Sequence, residues 1–143
     1  MQIKLKHIVW AITKKNPLKK KSNKSLSERI KICKKIVEKD TYIKVKFYED
    51  IVKSNKTINL INYLLKNYKY EIYFLMGADN LIDFHRWHKW REISKKCYII
   101  VFDRHGYKKK SLNSMTFKKL KNNKLKFIKF NKVNISSSQL RKI

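Results

Sequence analysis

The sequence predicts an α/β fold with a doubly wound, mostly parallel sheet. Three observations carry that expectation. Short β-rich runs take turns with segments of helical period along the whole chain. Two of the runs, Ile72 to Met76 (IYFLM) and Tyr98 to Phe102 (YIIVF), are continuously apolar, as strands covered on both faces of a parallel sheet are. The rare chain-breaking residues, Pro17, Gly77 and Gly106, each fall at or beyond the carboxyl end of a strand-like run. Alternation of this kind calls for right-handed crossovers between parallel strands.

His7 to Thr13 reads as the first strand. Ser25-Leu26-Ser27-Glu28 has the form of a capping box and opens a helix whose apolar face is Ile30, Ile32, Cys33, Ile36 and Val37. Tyr42 to Tyr48 (YIKVKFY) alternates at period two and reads as a strand. Thr57 to Tyr68 then spaces Ile58, Ile61, Leu64, Leu65 and Tyr68 as a helix does. After the strand Ile72 to Met76, Trp87 to Ser94 is expected to be a short helix leading to the strand Tyr98 to Phe102. A basic, polar loop begins at Lys108. Ser114 to Leu120 reads as a further helix, Leu125 to Phe130 (LKFIKF) as a last strand, and Ser136 to Lys142 as a helical turn. With so few glycines and one proline, each should occupy a backbone position that needs it: φ above zero or close ligand approach for Gly, a fixed φ for Pro.

The chain has 143 residues, enough for one domain, and 43% of them are hydrophobic, enough for a core. Its net charge of +27 comes from 37 basic residues, of which only Arg29, Arg86, Arg91, Arg104 and Arg141 are arginine. The lysines are scattered over the full length in a composition rich in Ile and Asn, so a solvated lysine surface explains them better than a nucleic-acid footprint does. The field still draws anionic ligands inward. Cys33 and Cys97 stand in no CxxC or metal-site spacing, and reduced, buried thiols are expected. The apolar stretch Ile8 to Ile12 is too short to span a bilayer, and a cytoplasmic protein with no membrane partner is expected.

The most informative segment is Gly77 to Trp90, GADNLIDFHRWHKW, which opens onto polar and aromatic side chains directly after an apolar strand. In open α/β sheets ligands bind there. A terminal ISSSQLR (Ile135 to Arg141) places hydroxyls at a helix start, where free amides and the helix dipole accept a phosphate and a guanidinium can join them. His85 and His88 are spaced three apart, yet no third zinc ligand is evident, so no metal site is assigned.

Four segments in order, Lys15 to Lys19 (KNPLK), Gly77 to Leu81 with Trp87 downstream, Phe102 to Tyr107 (FDRHGY) and Ile135 to Arg141, together resemble the bacterial nicotinate-nucleotide adenylyltransferases of the nucleotidyltransferase superfamily. The resemblance implies a Rossmann-like nucleotidyltransferase domain over residues 1–143 that transfers AMP from ATP to nicotinate mononucleotide, giving deamido-NAD and pyrophosphate in NAD biosynthesis, with Mg²⁺ accompanying ATP. It further implies ATP-phosphate contacts from Ser136, Ser137, Ser138, Arg141 and Lys19. Trp87 would stack on the pyridine ring, with Thr57 and His88 on the nicotinate side, and Gly77, Asp79 and Asn80 would line the space between.

The superfamily's H-x-G-H element, whose histidines serve the triphosphate, occurs nowhere in this chain, so the catalytic residues are unassigned. By the resemblance, the chain begins near the end of the family's first helix and lacks a central first strand, whose loss would leave two neighbouring strands with unpaired apolar edges. Self-association is one remedy for such edges. The competing readings are an inactive remnant of that enzyme, a small basic nucleic-acid-binding protein, and a related adenylyltransferase acting on a pantetheine phosphate; the Gly77 to Trp87 segment favours the pyridine nucleotide over the last.

Overall fold

In a computed structural model of the chain, residues 4–15, 24–121 and 124–129 are described. The chain divides into two compact units, Met1–Tyr63 and Leu64–Ile143.

The first unit holds strand β1 (Ile8–Ile12), helix α1 (Leu26–Ile36), strand β2 (Ile43–Phe47), a single-turn helix α2 (Glu49–Val52) and most of α3 (Thr57–Asn67). β1 and β2 pair in parallel, Ile8 opposite Ile43 through Ile12 opposite Phe47. That register gathers Ile8, Trp10, Ile12, Ile43, Val45 and Phe47 on one face and puts Lys44 and Lys46 on the other. α1 forms because the capping box is complete. Glu28's amide donates to Ser25 Oγ at 3.2 Å, and Ser25's amide donates to Glu28 Oε2 at 2.8 Å. The second bond holds the Glu28 carboxyl below its ordinary range. The helix buries none of its residues, and Ile32 and Ile36 are exposed, because a two-stranded sheet offers a narrow surface to pack against. Cys33 is therefore half-buried rather than buried. α3 buries Ile58 and Ile61, as its helical spacing requires.

The second unit holds β3 (Tyr73–Gly77), α4 (Ala78–Asp83), a 3₁₀ turn (Phe84–Arg86), α5 (Trp90–Lys96), β4 (Tyr98–Phe102), α6 (Lys108–Leu112), α7 (Met115–Leu120) and β5 (Leu125–Ile128). Its sheet runs β3-β4-β5, parallel throughout. β4 is central, and Ile99, Ile100 and Val101 are fully buried, as the apolar run predicts. α4 packs on α6, α7 and the 3₁₀ turn, placing Ala78, Leu81 and Phe84 at zero exposure. Buried Cys97 donates its thiol to the Ile93 carbonyl at 3.1 Å.

The strands and the α/β class agree with the sequence, and four helical pieces do not. The basic stretch from Lys108 is the helix α6 rather than a loop, and α2 and α4 were not foreseen. The expected helix Trp87 to Ser94 starts only at Trp90. Trp87 is extended (φ −74°, ψ 142°) and Lys89 is left-handed (φ 53°), so the chain reverses before the helix can begin. The proposed turn at Ser136 to Lys142 and Pro17 lie outside the described residues. No helix of the described residues is long and apolar enough to cross a membrane.

Ser25→Ala should cost about 1 kcal/mol through the lost cap, and Phe84→Ala about 3–5 kcal/mol through the cavity it leaves, both read from denaturant midpoints. Burial pushes the Cys97 thiol from 9.0 up to about 11. A group whose folded pKa is raised keeps its stabilising contribution below its unfolded value, so stability should fall as pH rises from about 9 to about 11. Cys97→Ala should remove that component of the pH profile, whatever its effect on overall stability.

Candidate active site

The parallel pairing of β3 with β4 sets Gly77 opposite Phe102, so the loops that leave these strands emerge at one rim. From the first loop comes Asp79, in the opening turn of α4; from the second comes Arg104. The Arg104 Nη1 donates to Asp79 Oδ2 at 2.6 Å, a short charge-assisted bond. The Asp79 side chain keeps 16% of its exposure and the Arg104 side chain 40%. Among the described residues, Asp79 is this guanidinium's only hydrogen-bond partner. Arg104 also lies over the Tyr107 ring, 5.8 Å from its centroid, and Gly106 (φ +78°) turns the loop between them.

Gly77 has an ordinary φ of −78°. What it supplies is room: a Cβ there would stand 2.5 Å from Asp79 Oδ1. The glycine is needed for close approach, as expected, but the approaching group is the chain's own carboxylate. Asp79 is thus engaged within the chain, while Asn80 beside it is half-buried.

Trp87 follows on the same side of the sequence motif. It is half-buried, held edge-on by Phe74 of β3 (centroids 5.9 Å apart, 78° between planes) and by Phe84 (5.4 Å, 61°). Edge-on contacts fix an indole without covering it by stacking. Trp90 packs on Phe84 at 6.2 Å and lies beneath Arg91, so it supports the same aromatic cluster. His85 and His88, three apart in the sequence, do not share a helix, and neither do Trp87 and Trp90, since Trp87 is extended. His85 Nδ1 lies 3.0 Å from the Ile82 carbonyl oxygen, and His88 is exposed. No three His, Cys, Asp or Glu side chains among the described residues converge as a metal-binding group.

In the first unit, Thr57 lines a shallow open hollow with Thr13, Tyr48, Ser54, Lys56 and Leu60. The rim of this hollow is organised by Arg29 of α1, which donates to the carbonyls of Thr13 (2.9 Å) and Lys14 (2.8 Å) at the carboxyl end of β1. Lys14 in turn pairs with Asp50 at 3.0 Å, and its amide donates to Glu49 Oε1. Thr57 thus belongs to the first unit, and Gly77, Asp79, Asn80, Trp87 and His88 to the second. Lys19, Ser136, Ser137, Ser138 and Arg141 lie outside the described residues.

Arg29 and Arg104 were not assigned roles from the sequence. The signal was present: in a chain whose basic residues are overwhelmingly lysine, a retained arginine marks a place where a planar fork matters.

Comparison with known proteins bears on the family and the fold. The cytidylyltransferase-like family model matches residues 2–143. A probable nicotinate-nucleotide adenylyltransferase of Pelagibacter ubique (strain HTCC1062) is 63% identical over 141 residues, covering 99% of this chain and 78% of that protein. One of Agrobacterium fabrum is 42% identical over 104 residues, covering 71% of this chain and 55% of that protein. The solved structure of Plasmodium falciparum nicotinic acid mononucleotide adenylyltransferase complexed with NaAD superposes with a TM-score of 0.74 at 20% identity, covering 96% of this chain and 69% of that one. The complex of the same enzyme with APC gives 0.75 at 21%, covering 96% and 68%. At those identities the structural likeness speaks for the fold.

Gly77→Ala should force the Asp79 carboxylate away and destabilise the chain by about 1–3 kcal/mol. In an Asp79→Ala background the same change should cost well under half as much, because the obstructing carboxylate is gone. Urea midpoints of the four chains would check this, and equal costs in both backgrounds would contradict the steric role given to Gly77.

Proposed function

This chain belongs to the cytidylyltransferase-like family, and from that membership we propose that it works in nicotinate-nucleotide adenylyl transfer, joining nicotinate mononucleotide to ATP with release of pyrophosphate. The observation that carries this is the 63% identity, over 99% of the chain, to the Pelagibacter protein of that name. The half-buried indole of Trp87 behind a strand-ending glycine is the local feature that suits a flat pyridine ring.

In the reaction, an oxygen of the 5′ phosphate attacks the α-phosphorus of ATP in line. The new phosphorus–oxygen bond forms as the bond to the bridging oxygen breaks, and that oxygen leaves with its electron pair as part of pyrophosphate. Such chemistry rests on positioning and charge stabilisation more than on covalent catalysis. Mg²⁺ accompanying ATP would supply neutralisation of charge on the leaving pyrophosphate.

The residues divide the work. Trp87 offers its indole face to the pyridine, with Thr57 and His88 on the nicotinate side. Gly77 and Asn80 line the approach between the two nucleotides, and Asp79 acts there through Arg104. Ser136 to Ser138, Arg141 and Lys19 hold ATP phosphates. The chain has no H-x-G-H, and the two histidines of that element are the groups expected to stabilise the transferring phosphate. The 143 residues span 78% of the Pelagibacter relative. Binding is therefore the direct test.

Titrating the chain with nicotinate mononucleotide should quench tryptophan fluorescence, and Trp87→Phe should remove most of that quench. Trp87→Ala should weaken binding about tenfold, since stacking on an aromatic ring is worth roughly 1–3 kcal/mol. No saturable binding of nicotinate mononucleotide, or binding indifferent to Trp87, would overturn the reading. Turnover by the 143-residue chain, followed as pyrophosphate release, should be several orders of magnitude below that of a relative carrying H-x-G-H.

A further inference from the structure

We propose that Arg104 is the anion-binding group at the carboxyl ends of β3 and β4, and that Asp79 is the positioning residue that presents it to a phosphate. For the identity of the nucleotide that carries the phosphate, this rests on the adenylyl-transfer reading; for the anion site itself it does not.

The geometry is that of a built holder rather than a surface ion pair. An exposed pair, such as Arg86 with Asp83 at 3.7 Å, gains little from its contact. Here the bond is 2.6 Å, and the carboxylate is the more buried partner, at 16% exposure against 40% for the guanidinium. Burial of the acid and exposure of the base mean that the pair points its positive end outward.

Three further residues restrict the pair. Gly77 leaves out the Cβ that would strike Asp79 Oδ1, so one carboxylate oxygen folds back over the strand end while the other holds Arg104. The Tyr107 ring lies under the guanidinium, and the left-handed turn at Gly106 brings that ring back. With one N–H committed to Asp79, the remaining donors have no partner among the described residues. A planar fork held on one edge is free to bind a phosphate with the other.

The chemistry favours phosphate over a single carboxylate or a neutral group. The site sits where parallel strands end, in a chain whose overall field concentrates anions, and a fork with several spare donors matches the several oxygens of a phosphate. Lysine fills nearly every other basic position, so charge alone did not require arginine here.

The test is calorimetric titration of the 143-residue chain with two probes, inorganic pyrophosphate and nicotinate mononucleotide, using Arg104→Ala, Arg104→Lys, Asp79→Asn, the double variant Asp79→Asn/Arg104→Ala, and Lys39→Ala as a charge-matched control. Arg104→Ala should weaken binding of pyrophosphate about tenfold or more, and Lys39→Ala less than about twofold. Asp79→Asn decides the positioning role by its sign. Removing a negative charge beside an anion site should tighten anion binding if Asp79 acts only through its field. If Asp79 holds the fork in place, the same change weakens binding about three- to tenfold, and in the Arg104→Ala background it does nearly nothing. Arg104→Lys, which keeps the charge and loses the fork, should weaken binding about threefold or more, and it carries the test if Asp79→Asn fails to fold.

Loss in Arg104→Ala no larger than in Lys39→Ala overturns the anion site, as does a wild-type chain that binds neither probe. Tighter binding in Asp79→Asn, or equal losses with and without Arg104, overturns the positioning role. Pyrophosphate binding that depends on Arg104, with no binding of nicotinate mononucleotide by the wild-type chain, upholds the site and overturns the adenylyl-transfer reading instead.

Discussion

The parallel register of β3 and β4 is the constraint on which the second unit's chemistry depends. Gly77 pairs with Phe102, so residues 25 apart in the chain, Asp79 and Arg104, leave the sheet at the same rim and meet in a 2.6 Å bond. An antiparallel partner would have sent one of the two loops to the opposite end. Everything else at that rim follows from how tightly the register is fixed. β4 buries Ile99, Ile100 and Val101 on both faces, and a slip of one residue would turn each of these to the other side of the sheet. The pair at the rim is therefore held by apolar packing several residues away.

Composition and geometry meet in the arginines. Three of the four that lie among the described residues make a contact that uses a planar cation: Arg29 donates to two carbonyls, Arg91 lies over Trp90, and Arg104 bonds Asp79 above the Tyr107 ring, while Arg86 makes only an exposed pair with Asp83 at 3.7 Å. Lysine, a point charge on a flexible stem, fills the solvated surface, and a compositional drift that favours it leaves arginine where the fork itself is used. The large positive charge thus carries two signals. The lysines set a diffuse field, and the few arginines mark built positions within it.

Much of the fold was legible because its strongest signals are local. The capping box at Ser25 and Glu28, the period-two run of β2, the helical spacing of Ile58 and Ile61 and the apolar run of β4 each specify an element from a handful of adjacent residues. The elements that escaped are single turns stabilised by tertiary packing. α4 starts from Gly77 with no side-chain cap and earns its place by burying Ala78 and Leu81, and α6 looks like a lysine run until Ser111 is seen to be fully buried. For the site, Gly77 was legible as a strand-end residue, whereas the partnership of Asp79 with Arg104 was not, because it exists only once the β3–β4 register is known. The extended backbone at Trp87 was hidden for a similar reason: a left-handed Lys89 has no local signature, lysine being an unusual residue for that conformation.

The strand edges record the same logic of neighbours. β2 (IKVKF) and β5 (LKFI) both carry lysine, the usual protection of an outer strand, while β1 (IVWAI) and β3 (YFLMG) carry no charge at all. Among the described residues each of these two apolar strands has a strand on one side only. Three of the five strands among the described residues, β1, β3 and β4, carry no lysine, and of these only β4 has a strand on both sides. Lysine thus sorts the strands with a neighbour on one side only into two that carry the usual protection of an outer strand, β2 and β5, and two that do not, β1 and β3. β3 is also the strand that ends in Gly77 and supports Trp87 through Phe74. β3 therefore backs the candidate site with apolar side chains, Phe74 among them, while its carboxyl end at Gly77 leads into it.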